Sequence, residues 1–300
     1  MSESRKTLFG TAGWSYEDWK GHFYPQRPGR LDMLAFAAEY FDVIEVNSTF
    51  YHPPSPRTTR SWVRRTAHLE GFEFTVKLHQ RFTHQRAEQW SPAEADTFRR
   101  GIGPLADAGR LGGILVQFPW SFKNTQDSRR WLSRIVDAFT DYCLFVEVRH
   151  DSWSQESFFE WLDEKRVGFV DVDQPLFSGS LPPVERVTGG RGYVRLHGQN
   201  RANWFKEDAE TYQRYDYLYS ADELQEWVLK LREIGQAAER TYCINNNHYR
   251  AQAAANSLEL KSLFCGDTVA VPGPLLASYP RLRQIARQQE DESQGRLLSQ

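Results

Sequence analysis

The chain is poor in cysteine, has no long apolar run and carries almost no excess charge, and each lack removes a class of protein. Three cysteines in 300 residues, none in a CxxC pair, leave no disulfide scaffold and no zinc-ribbon spacing. Cys143 and Cys243 fall inside predicted strands, where they read as small buried hydrophobes in a reducing compartment. No stretch reaches the ~20 apolar residues of a membrane helix, and the opening MSESRKTLFG lacks a signal-peptide core. No membrane partner is therefore expected, and the expected location is cytoplasmic. With 37 Lys+Arg against 39 Asp+Glu, the formal charge of −2 offers nucleic acid no general attraction. GxGxxG and HExxH patterns are missing, so no cofactor is expected.

What the chain does have is a recurrent short strand pattern. DVIEVN (42–47), FEFTVKLH (72–79), GILVQF (113–118), CLFVEVR (143–149), VGFVDVD (167–173), GYVRLH (192–197) and YCINNN (242–247) each alternate, and LFGTAG (8–13) reads as a further, first strand. One face is apolar throughout, while the other turns ionisable toward the end of the strand. Helical stripes lie between the strands, with start signals at Ser55-Pro56 and at the capping box Ser91-Pro92-Ala93-Glu94. Strand and helix in alternation imply parallel pairing through right-handed crossovers. The predicted fold is therefore α/β, one (β/α)8 TIM barrel over residues 7–286, with an open doubly wound sheet as the alternative. QPLFSGSLPPVERVTGG (174–190), after the sixth strand, is too rich in Pro and Gly for a normal helix and is expected as an irregular segment. Residues 1–6 and 287–300 are expected to be a disordered N-terminus and a polar C-terminal tail.

In such a barrel the carboxyl ends of the strands share one face, where chemistry is placed. Parity assigns Glu45, Asn47, Lys77, His79, Gln117, Glu147, Arg149, Asp171, Asp173, Arg195, His197, Asn245 and Asn247 to the inner side of that mouth. Buried ions cost several kcal/mol each before pairing, so so many of them point to a ligand site more than to a packed plug. Glu45, the deepest, is as much a scaffold candidate as a catalytic one. Lys77, Arg149 and Arg195 come from three strands and suit an anion clamp. Glu147 is expected as proton carrier or nucleophile, His197 as a second acid–base group, and Asn245 and Asn247 as partners of substrate hydroxyls. Aromatics crowd the same loops, among them Trp14, Tyr16, Phe50, Tyr51, Trp153 and Trp204. Each could stack on a ring or simply pack its own loop. His84, His150 and His248, taken singly, read as local hydrogen-bonding residues.

The stretches GTAGWSYEDWKGHFYP (10–25), FDVIEVNSTFYHPPS (41–55), FEFTVKLHQRFTH (72–84), ILVQFPWSF (114–122), FVEVRHDSW (145–153), DVDQP (171–175), YVRLHG (193–198) and INNNHYRAQAAANSLEL (244–260) resemble, in order, the YecE-like family of domains of unknown function, DUF72. The resemblance implies a TIM barrel and supplies no reaction. Its matching positions are Trp14, Glu45, Asn47, Tyr51, Lys77, His84, Gln117, Glu147, Arg149, His150, Trp153, Asp171, Arg195, His197, Asn245 and Asn246.

The leading expectation is a metal-independent acid–base enzyme, a hydrolase or lyase, acting on a small anionic sugar-like or phosphorylated molecule. Its catalytic set is Glu147, His197 and Glu45; Trp14, Tyr51, His150, Trp153 and Gln117 join the clamp and the asparagines in binding. Two alternatives stand beside it. One is a divalent-metal isomerase or phosphoesterase, its ion held at Asp171 and Asp173 with Glu45, Glu147 and His197. The other is a non-catalytic protein that captures a metabolite or, less favoured, a nucleic-acid end.

Overall fold

The computed structural model describes residues 6–201 and 214–287. The expected disorder of residues 1–5, all but the first residue of the 287–300 tail, and the loop aromatic Trp204 lie outside the described residues. Strands β1 (Thr7–Ala12), β2 (Val43–Val46), β3 (Glu73–Lys77), β4 (Leu111–Gln117), β5 (Leu144–Glu147), β6 (Gly168–Asp173), β7 (Arg191–Leu196) and β8 (Arg240–Asn245) form a closed barrel in sequence order. Every neighbouring pair is parallel, including β8 with β1. The fold is the predicted (β/α)8 barrel.

Helices over Met33–Ala38, Pro56–Arg65, Pro92–Asp107, Gln126–Ala138, Glu156–Glu164, Ala221–Ala237 and Gln252–Cys265 cover its outside. Their start signals act as the sequence suggests. The Ser55 hydroxyl accepts the Thr58 amide at 3.1 Å, and Ser91 with Glu94 closes a reciprocal capping box. Between β6 and β7 the described chain forms no helix, as the prolines and glycines of 174–190 require.

The barrel interior is built in tiers. Leu8, Val43, Leu115, Phe145, Val170, Val172, Tyr193, Tyr242 and Ile244 form its apolar filling. Phe145 fits because Gly113 and Gly168 flank it: a Cβ at either would come within 2.5 or 2.6 Å of its ring. Tyr193 and Tyr242 lie side by side, centroids 5.7 Å apart, yet their hydroxyls reach opposite ends. Tyr193 donates to Glu45 at 2.8 Å, near the carboxyl end, and Tyr242 donates to Glu73 at 2.6 Å, near the amino end.

Register corrects the parity reading for two strands. Val170 pairs with Tyr193 and Val172 with Arg195, so Val170 and Val172 face inward. Asp171 and Asp173 therefore face the helical layer, contrary to expectation. Tyr193 pairs with Tyr242 and Arg195 with Ile244, which turns Asn245 and Asn247 outward as well. The inward positions that continue these strands are Gln174 and Asn246.

Candidate active site at the carboxyl end of the barrel

Above the apolar filling, the strand ends converge on a network of four charged side chains. Arg195 is 2% exposed and forks onto Glu45, Nε to Oε2 at 2.9 Å and Nη2 to Oε1 at 2.7 Å. Its Nη1 reaches Glu147 Oε2 at 2.6 Å. The other oxygen of Glu147 accepts from Arg149, from Nε at 2.8 Å and Nη2 at 2.7 Å. Thr75 and Tyr193 hydroxyls, 2.9 Å apart, support the Glu45 end from below.

Two guanidinium groups thus share two fully buried carboxylates, and charge balance within the four is complete. Burial alone would push Glu147 upward, but Arg195 and then Arg149 overcome it and hold its carboxyl far below the usual carboxylate range. The same carboxylates keep Arg195 charged in spite of its burial. These pairings bear on both glutamates predicted as catalytic. Both oxygens of Glu147 and of Glu45 are engaged by donors, so neither residue presents a basic oxygen to the cleft; they hold and orient the cations instead.

The cleft above the network measures about 750 Å³. Arg149, Arg195, Lys77 and His197 reach it from three strands, joined by Asn47, Gln117 and Gln174. Of the predicted positions, Trp14 and Tyr51 also line it, Tyr51 at a rim where it is 60% exposed and Trp14 edge-on to Trp62. Its remaining wall brings in Tyr16, Phe50, His84, Trp120, Tyr215, Asn246 and His248.

His197 is buried between the two arginines. Its Nε2 lies 3.4 Å from Arg149 Nη2 and 3.5 Å from Arg195 Nη1, while the carboxamide of Asn246 lies 2.8 Å from Nδ1. Guanidinium groups only donate, so the Nε2 lone pair faces the cations; the ring proton then sits on Nδ1, which requires the Asn246 carboxamide, whose nitrogen is the atom placed there, to turn its oxygen toward the ring. Burial, and after it Arg195 and Arg149, push the imidazole well below its ordinary range and keep it neutral. His84 and His248 are held down to about 4, each chiefly by burial.

Lys77 differs from the arginines. Its ammonium stands 4.2 Å from the centre of the Phe50 ring, and it makes no ion pair among the described residues. Burial first, and Arg195 second, lower it from the ordinary 10.5 to about 7. The cleft also holds acceptors without partners: Asn47 Oδ1 and Gln174 Oε1 are buried and bond to no described residue.

The structure does not bring the other predicted residues here. Trp153 is fully buried, its indole N–H donating to the Phe122 carbonyl at 2.6 Å, and it packs on Phe122 and Phe158 behind the mouth. His150 caps the turn that follows β5, accepting the Ser152 amide at 3.1 Å, and leans on the rim residue Trp120 from outside. His79 caps the short helix after β3 and lies against the Tyr51 carbonyl at 3.2 Å. Asn247 donates to the Tyr217 carbonyl and to Asn256, both at 2.8 Å, and Asn245 is buried on the same outer side.

Asp171 accepts the Val184 and Glu185 amides at 2.8 and 2.9 Å, tying down the segment after β6. Burial raises it to about 6. Asp173 bonds the Tyr219 hydroxyl and the Gln199 amide, so the reserve metal ligands are loop anchors outside the cleft. No three His, Cys, Asp or Glu side chains converge in metal-binding geometry among the described residues.

Sequence reasoning missed Gln174, Trp120 and Tyr215, and it undervalued His84 and His248. Gln174 was recoverable from parity once β6 is turned over. The others stand in loops, where no period applies.

Comparison with known proteins fits this picture. The model of the family described as protein of unknown function DUF72 matches residues 8–277. The chain is similar to the UPF0759 protein YunF of Bacillus subtilis, 29% identical over 267 residues that cover 85% of this chain and 93% of YunF. It is also similar to the UPF0759 protein YecE of Escherichia coli K12, 24% identical over 59% of this chain and 63% of YecE. Among solved structures, a DUF72 family protein of Thermotoga maritima superposes with a TM-score of 0.76 at 35% identity, covering 86% of this chain and 98% of the other. One from Enterococcus faecalis superposes at 0.75 with 24% identity, covering 86% and 95%, a likeness of fold. No helix of the described residues is long and apolar enough to cross a membrane.

Proposed function

The chain belongs to the DUF72 family, and from its own cleft we propose that it is an acid–base enzyme of the hydrolase or lyase class, acting on a small anionic molecule rich in hydroxyls. The observation that carries this reading is the surplus of donors: Glu45 and Glu147 neutralise Arg195 and Arg149, and Lys77 is left over facing the same cleft. A carboxylate or phosphate arriving there meets Lys77 together with Nη1 of Arg149, which has no partner among the described residues. Asn47 and Gln174 supply the acceptors that hydroxyl groups require.

His197 is the acid–base group in this account. A neutral imidazole whose lone pair lies against two guanidiniums takes up a proton with difficulty while the cleft is empty. An anion on the arginines offsets that repulsion and raises its basicity at the moment of binding. The reading is metal-independent, because the cations repel a divalent ion and both carboxylates are already engaged.

Calorimetry with inorganic phosphate and with glucose 6-phosphate tests the binding half. One site is expected, tighter for the sugar phosphate and weakened at least tenfold by Arg149→Met. His197→Gln should keep binding and lose turnover in a panel of sugar-phosphate hydrolysis and cleavage assays. Stoichiometric binding with no turnover anywhere in the panel would make the protein a metabolite-capture protein instead.

A further inference from the structure

Resting on that reading and extending it, we propose that Lys77 is a nucleophilic amine that condenses with a carbonyl group of the substrate, so that the substrate is a hydroxylated aldehyde or ketone bearing a carboxylate or phosphate. The geometry carries the argument. Lys77 ends β3, and its carbonyl accepts the Thr49 hydroxyl at 2.7 Å, which anchors the base of the side chain. The amine then lies over the Phe50 ring, within the cleft. Every carboxylate oxygen of the network already accepts from guanidinium or phenol donors, and none lies within ion-pairing distance of the Lys77 amine.

Other lysines contrast with it. Lys20, Lys230 and Lys261 hold carboxylates at 2.6, 2.9 and 2.7 Å, whereas Lys77 holds none among the described residues. Lys77 faces Arg195, Arg149, His84 and His197 on one hand and the two spoken-for glutamates on the other. Its fall to about 7 follows from that setting and leaves a large share of the amine unprotonated at neutral pH. An amine desolvated against an aromatic ring and next to cations is activated for attack on a carbonyl carbon.

The step balances without an added oxidant or reductant. The Nζ lone pair forms the C–N bond, the carbonyl π electrons move to oxygen, and a proton passes from nitrogen to that oxygen. A second proton, taken from solvent in place of the one the ammonium released, goes to the carbinolamine oxygen, which leaves as water and gives the protonated imine; addition of water and loss of that proton reverse the step. The cationic nitrogen then draws electrons from a neighbouring C–H or C–C bond, and His197 Nε2 accepts the proton that leaves carbon or a neighbouring hydroxyl. The imine carries the one positive charge that the ammonium carried, so the network below keeps its balance.

Borohydride trapping of the full chain at pH 7 tests this, in one arm with pyruvate and in another with dihydroxyacetone phosphate, read by intact mass and peptide mapping. Hydride converts the imine to a stable secondary amine. One adduct at Lys77 is expected in at least one arm, favoured by ~10³-fold over surface lysines because of its larger unprotonated fraction. The arm that labels identifies the anion as carboxylate or phosphate. Lys77→Arg keeps the charge and should lose the adduct, with Lys77→Met as the second variant, each checked for folding by circular dichroism. No adduct at Lys77 in either arm, or labelling spread evenly over the lysines, overturns the imine. Phosphate binding that survives this result leaves the anion cleft standing; loss of both removes the reading on which the proposal rests.

Discussion

Both ends of the barrel interior hold a glutamate, an arginine and a tyrosine, and they differ in what is left over. At the amino end, Glu73 accepts the hydroxyl of Tyr242 and pairs with Arg240. At the carboxyl end, Glu45 accepts the hydroxyl of Tyr193 and the fork of Arg195. The lower set pairs one carboxylate with one guanidinium. The upper set continues through Glu147 to Arg149 and has Lys77 and a neutral His197 beyond that. Matched buried charge is what a plug requires, and surplus charge facing a cleft is what a ligand completes. Equally polar strand ends thus differ: the amino end pairs its charges, and the carboxyl end turns a lysine, unpaired among the described residues, toward a cleft.

The largest effect should come from Arg195→Met. It leaves Glu45 and Glu147 without their shared cation, and removing one partner of a buried pair costs ~3–5 kcal/mol. Urea unfolding is expected to show a loss of that order, together with loss of phosphate binding. An unchanged midpoint would mean that the upper network is not a closed unit. Glu73→Gln should cost less, about 1–3 kcal/mol, since the pair is partly exposed, at 22% and 16%, and the amide keeps one acceptor for Tyr242. Its effect on phosphate affinity should be negligible, and a tenfold change would break the division between the two ends.

The fold was legible because alternation and helix starts state it repeatedly. Ser55-Pro56 and Ser91-Glu94 fix helix starts by local chemistry alone. In β2, β3, β4, β5 and β7 the mouth was legible too, since one face ends in charge and the other in Val, Ile or Leu. Parity failed in β6 and β8 for a physical reason. Val170 and Val172 fit the barrel interior as well as they would fit its outer layer, and Asp171 and Asp173 find amide and phenol partners outside. The run Asn245-Asn246-Asn247 is polar at every position, so only the pairing with β7 reveals that Asn246 is the inward one. Pairing networks were likewise invisible: nothing in the spacing of Glu147 foretells that both its oxygens are occupied.

Lys77 is the cation that the upper network leaves uncompensated. Because the folded protein holds its proton less tightly than the unfolded chain, Lys77 should weaken the fold below pH 7, and stability should recover as pH rises from about 7 toward 10.5. Lys77→Met should flatten that rise. The most direct measurement is the titration of the Lys77 ε-methylene by carbon-13 NMR, with and without inorganic phosphate. A transition near pH 7 that moves upward when phosphate is added is the predicted result. A transition near the ordinary lysine value of 10.5, indifferent to phosphate, would contradict it.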